Sequence, residues 1–157
     1  MKDMILKNTV DPEMMEIWMH SLFYLPTPED ESIDAMFNFI EHRSINRNPM
    51  FVLIPTSVVH TYCAANINCN EKSSIMRIIK HLEGVAVKNL AGDLKVRTSY
   101  EDLIVAFKGL GNIGIVTKNF EQILKDTIVD PLIIDDVRLQ AINVFRRLHC
   151  EKSRLVN

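Results

Sequence analysis

Apolar residues return every three or four positions along most of this chain, and most such runs open on a helix-starting signal. Asp11 precedes Pro12, the pairing of a capping side chain with a proline at the first helical position. Met15, Trp18, Met19, Leu22 and Phe23 then fall on one face until Pro26. Thr27 and Pro28 repeat the start signal, and Ile33, Met36, Phe37 and Ile40 repeat the spacing. The pattern predicts two antiparallel helices joined by a short turn. Asn48 and Pro49 start a third helix through Phe51, Ile54, Val58 and Tyr62, with Pro55 expected to kink it or delay its start. A fourth is expected from Asn70, with Ile75, Ile78, Ile79 and Leu82 inward and Arg77, Lys80 and Glu83 outward.

Residues 84–97, GVAVKNLAGDLKVR, break the helical period around Gly84 and Ala91-Gly92-Asp93, and are expected to form a loop or small hairpin. Thr98 with Glu101 reads as a capping box opening a fifth helix through Leu103, Ile104 and Phe107. Gly109, Gly111 and Gly114 are expected to make the following turn, and Thr117 to start a sixth helix with Phe120, Ile123 and Leu124 inward. Asp130-Pro131 breaks the chain. The last helix, Asp135 to Cys150, has Val137, Ala141, Val144, Phe145 and Leu148 on one stripe. Residues 1–8 read as the tail of a preceding helix. The segments opened at Asp11, Asn48, Thr98 and Asp135 are 37, 50 and 37 residues apart, the spacing of stacked helical hairpins. The fold class is therefore all-α, a solenoid-like stack of antiparallel helices.

Composition changes this picture little. Hydrophobic residues make up 47% and charged residues 24% of 157, which fits a folded domain rather than a disordered tail. A net charge of −2 gives no bulk attraction for nucleic acid or an anionic membrane. No apolar run is long enough to cross a bilayer, and the first fifteen residues show no signal-peptide core.

Gly109-Leu110-Gly111-Asn112-Ile113-Gly114 matches G-x-G-x-x-G, which cradles phosphates only when a buried strand leads into it. Here a helical pattern precedes it, so the glycines are expected to let two helices approach closely. His60, Cys63 and Cys69, with His81 beyond, fit no common structural zinc spacing. No nucleophile, base and orienting group are brought together by the pattern, so no catalytic residue and no cofactor is assigned. The basic string from Arg146 to Arg154 reads as a solvated helix end or a docking surface. Cys63 and Cys69 are either a local disulfide or two reduced thiols, and Cys150 has no evident partner.

Taken together, WMHSLFYLPTP (18–28), SVVHTYCAANINC (57–69), AFKGLGNIGI (106–115) and VRLQAINVFRRLHC (137–150) resemble the helical domain of the large lipid transfer proteins. That family holds vitellogenins, apolipophorins, apolipoprotein B and microsomal triglyceride transfer protein. The resemblance covers nearly the whole chain. It implies a two-layered right-handed α-superhelix, with residues 1–157 a partial helical domain truncated at both ends. The implied parent is secreted and carries phospholipid and neutral lipid in a cavity built mostly by β-sheets absent from this chain. The resemblance also implies a disulfide between Cys63 and Cys69. Arg77, Lys80, Arg146 and Arg147 become candidate contacts for an acidic lipoprotein-receptor module. On this reading the last helix should leave part of its apolar stripe without cover. The alternative is an intracellular α-solenoid that binds protein partners and has no lipid role.

Overall fold

A computed structural model describes residues 11–25, 28–42, 48–66 and 68–150. The expectations for residues 1–8, Pro26, Thr27 and the basic string beyond Cys150 lie outside them, as do the side chains of Phe23 and Cys150. Among the described residues seven α-helices follow one another: α1 Pro12–Phe23, α2 Asp30–His42, α3 Met50–Ala65, α4 Ser73–Leu90, α5 Arg97–Ile113, α6 Lys118–Val129 and α7 Asp135–Cys150. A 3-10 turn, Cys69–Glu71, precedes α4. The described residues contain no strand. The chain forms two compact units, residues 1–81 and 82–157, with the division inside α4.

In the first unit α1 and α2 both pack on α3, and in the second α5 and α6 both pack on α7. A helix that meets both its predecessor and the helix two before it is the local signature of a two-layered stack. Side-chain bonds between helices two apart repeat at fixed offsets. In the second unit Tyr100 donates to Asp136 at 3.1 Å and Arg147 donates to the Gly111 carbonyl at 3.2 Å, both across 36 residues. One offset at both ends means that α5 and α7 run parallel and in register. The all-α, two-layered stack expected from the sequence is therefore present in each unit.

Most starts follow the sequence signals. Asp11 accepts the Glu13 amide at 2.9 Å, Asn48 accepts the Met50 amide at 3.0 Å, and Thr117 accepts the Phe120 amide at 3.3 Å. Pro55 neither delays nor ends α3, which runs unbroken from Met50. Proline removes one N–H from the ladder. The hydroxyls of Thr56 and Ser57 donate to the Val52 and Leu53 carbonyls at 2.8 and 2.9 Å, satisfying acceptors in that turn.

Five expectations are corrected. The fourth helix begins at Ser73, because Cys69–Glu71 takes the tighter 3-10 form first. Residues 84–90 are not a loop but the second half of α4. Leu82, Ala86 and Asn89 are buried at helical spacing, and that burial outweighs the weak propensity of Gly84. The Thr98–Glu101 capping box does not form, because α5 opens one residue earlier and Glu101 instead pairs with Arg97 at 2.6 Å. Gly109 and Gly111 lie within α5, and only Gly114 makes the turn, with φ of 74°. Val137, Ala141, Val144 and Leu148 are buried beneath α5 and α6, so most of the stripe expected to lack cover has it, while Phe145 is half-buried.

The helical state of Gly84 is directly testable. Nothing lies within 4 Å of a Cβ built there. Gly84→Ala should therefore stabilise the protein by about 0.5–1 kcal/mol. Urea unfolding followed by circular dichroism measures it; a loss of stability would mean that the segment is not helical.

Candidate functional site

Residues around the end of α3 form a connected polar cluster in the first unit. Cys63, in the last turn of α3, and Cys69, in the 3-10 turn, are joined by a disulfide with 5.1 Å between Cα atoms. Both sulfurs are consumed, so a thiolate metal site with His60 and His81 is ruled out in this state. Three residues on, Lys72 reaches back to Asp30 at 3.3 Å and Asp34 at 3.7 Å on α2. The Tyr62 hydroxyl donates to the other oxygen of Asp30 at 2.6 Å. The disulfide thus fixes a turn whose next residues tie α2, α3 and the start of α4 together.

These bonds act on ionisation. The Tyr62 hydroxyl, followed by Lys72, holds the Asp30 carboxyl below its ordinary range. The same bond pushes the Tyr62 phenol up to about 12 from 10.0. A raised pKa means that the folded state holds the proton more tightly. Its contribution is therefore full below pH 10 and lost as pH rises through about 12. Burial, and then its bond to Asp136, also raises the Tyr100 phenol, so ultraviolet titration should show more than one late tyrosine, and Tyr62→Phe should abolish the phase near pH 12. If the phase near pH 12 survives in Tyr62→Phe, the bond is not formed in solution.

In the second unit Glu83 holds the start of α6. It accepts the Thr117 amide at 2.6 Å and the Thr117 hydroxyl at 2.9 Å. A helix usually satisfies its N-cap amide with an acidic side chain three residues later. That position is Phe120, so α4 supplies the carboxylate instead. Glu83 is 8% exposed and does not face outward as its charge suggested. The signal was present, since Glu83 follows Ile75 and Ile79 at intervals of four and so lies beside the apolar stripe.

The glycine sequence of α5 is likewise structural. A Cβ at Gly111 would lie 3.7 Å from Val144 of α7, an ordinary contact, so α5 and α7 meet here without requiring glycine. Arg147 donates to the Gly111 carbonyl and the Asn112 side chain, meeting acceptors at the end of α5. With a helix rather than a strand leading into it, this sequence is not a phosphate cradle.

Two apolar depressions lie among the described residues. One, about 270 Å³, lies between the end of α1 and the start of α3, against Tyr24, Met50, Leu53 and Ile54. The other, about 300 Å³, lies between the end of α4 and α6, against Val87, Leu90, Ile123 and Ile133. Both are at or below the lower end of small-ligand sites, far too small for a neutral-lipid store. All four basic residues singled out are exposed, and of them Arg77 stacks over Phe37 at 4.1 Å and Arg147 serves α5. Arg77 and Lys80 lie in the first unit, Arg146 and Arg147 in the second.

A helical-repeat scaffold stabilised by internal caps and a disulfide is thus the class that the fold defines. The family model described as Vitellogenin TPR domain matches residues 1–157, and the chain belongs to that family, within the large lipid-transfer superfamily. Domains of this kind are structural and transport modules rather than catalysts. A vitellogenin of Penaeus merguiensis is 24% identical over 136 residues, which is 87% of this chain and 5% of that protein. The chain therefore spans about one twentieth of the length of the curated relative it matches. No solved structure matches it.

Proposed function

We propose that this chain is part of the helical scaffold of a secreted, vitellogenin- or apolipophorin-like lipid transporter. The observation that carries this reading is the family match over all 157 residues. The disulfide supports it, because such bonds persist in oxidising compartments. Phospholipid and neutral lipid are carried by the parent protein, in a cavity to which these helices contribute wall and support. The two depressions described above are too small to hold that cargo.

In the same reading, Arg77, Lys80, Arg146 and Arg147 offer positive charge to an acidic receptor module. Lys80 and Arg146 test this best, because Arg77 and Arg147 also have internal roles. Receptor binding unchanged by Lys80→Glu with Arg146→Glu would remove that part of the proposal.

The competing reading is an intracellular interaction module, and cysteine oxidation separates the two. Native protein alkylated before reduction should leave Cys63 and Cys69 unmodified. Complete alkylation of both would favour the intracellular reading.

A further inference from the structure

α4 and α6 both end at the depression lined by Val87, Leu90, Ile123 and Ile133 in the second unit. Each helix end presents the negative pole of its dipole there. Two carboxylates add to that charge, since Asp126 and Asp130 line the same depression one helical turn apart. Among the described residues each carboxylate is bonded to a neutral group only. Asp126 accepts the Gln122 side-chain amide at 2.9 Å, and Asp130 accepts the Leu132 backbone amide at 2.8 Å. Arg138 reaches the Ile128 carbonyl at 3.1 Å, but its other end binds Asp135. No cationic side chain lines the depression.

The wall beside these acids is apolar, and apolar exposure continues along the chain. Val129 and Leu132, just before and just after Asp130-Pro131, are 74% and 90% exposed. Single apolar side chains at a surface are ordinary, but these neighbour residues lining a depression of about 300 Å³. That volume suits one anchoring side chain better than a whole ligand. Two carboxylates do not make a metal site, and no group of three potential ligands occurs among the described residues. A phospholipid surface presents phosphates, which these carboxylates repel. The chemistry that fits is an alkyl or aromatic side chain with Lys or Arg beside it.

We propose that this depression docks a basic amphipathic segment of a protein partner. An apolar side chain of the partner enters between Leu90 and Ile123, and its flanking Lys or Arg meet Asp126 and Asp130. Anchors in an apolar groove with a charged rim are a recurring mode of peptide recognition. Charge complementarity selects the occupant, because two carboxylates and two helix ends all carry the same sign. The surface is opposite in sign to the receptor contact proposed above. It does not depend on the lipid reading, because it uses residues of the second unit alone.

Binding of a fluorescent peptide of repeated Leu-Lys-Lys-Leu units to the purified 157-residue chain tests it. The peptide should bind with an affinity that falls as salt rises, and a Leu-Glu-Glu-Leu counterpart should not bind. Amide shift changes in NMR spectra of the chain should centre on residues 87–91 and 123–133. Asp126→Asn with Asp130→Asn keeps both local bonds, because the amide oxygen still accepts, yet should weaken binding about tenfold. Ala91→Phe, at the wall of the depression, should weaken binding by a similar factor while circular dichroism shows the helices intact. No binding of the lysine peptide, equal binding of both peptides, or binding insensitive to both variants would overturn the proposal. So would shift changes centred elsewhere. Occupation of these residues by phosphatidylcholine vesicles or by a second copy of the chain, with the peptide unable to compete, would overturn it too.

Discussion

Replacing Glu83 with alanine should destabilise the protein by about 2–3 kcal/mol. The carboxylate accepts two bonds from Thr117 at a nearly buried position, and alanine leaves the amide and hydroxyl without that partner. Relief of the buried charge offsets part of the loss, which keeps the figure below the sum of two charged hydrogen bonds. Against a typical total of ~5–15 kcal/mol this is a large fraction. The melting temperature should fall by roughly 4–12 °C for a chain of this length. Glu83→Gln, which retains one acceptor oxygen, should cost about half as much. A cycle with Thr117→Ala should show coupling of about 1 kcal/mol or more. Additive effects would mean that the cap shared between α4 and α6 is not formed.

Removing the disulfide has the second large effect. Cys63 and Cys69 are six residues apart, and closing so short a loop restricts the unfolded chain by about 2 kcal/mol. The folded side also loses, because Lys72 follows the 3-10 turn and bridges Asp30 and Asp34 from it. Cys63→Ser/Cys69→Ser should therefore unfold at about 2–3 kcal/mol lower stability than the oxidised protein. Tyr62→Phe should be less costly in that background than in the wild type, since both changes loosen the same junction. Denaturation with and without reductant measures the first effect directly, and equal midpoints would contradict it.

The helices were legible because their burial follows the simple periodicity of their apolar residues. Ile75, Ile78, Ile79 and Leu82, read as inward, are all fully buried. The start signals at Asp11, Asn48 and Thr117 are used as read. What was misread depended on partners distant in sequence. Gly84 punctuates a local pattern, yet burial of Ala86 and Asn89 keeps α4 helical through it. Glu83 looks like a surface charge until Thr117, 34 residues later, is placed against it. Thr98 and Glu101 have the right spacing for a cap, but α5 opens one residue before Thr98 and Arg97 takes the carboxylate.

The functional site was less legible than the fold. Tyr62, Asp30 and Lys72 come from three separate elements, and no local spacing announces their junction.

The central claim is that these helices belong to a lipid carrier outside the cell. Flotation of the natural protein in a density gradient, detected with an antibody against residues 97–150, tests it most directly. The account predicts that the antigen is found in extracellular fluid, in a polypeptide many times longer than this chain, and floats together with phospholipid and neutral lipid. Recovery in the cell lysate as a lipid-free protein would contradict it.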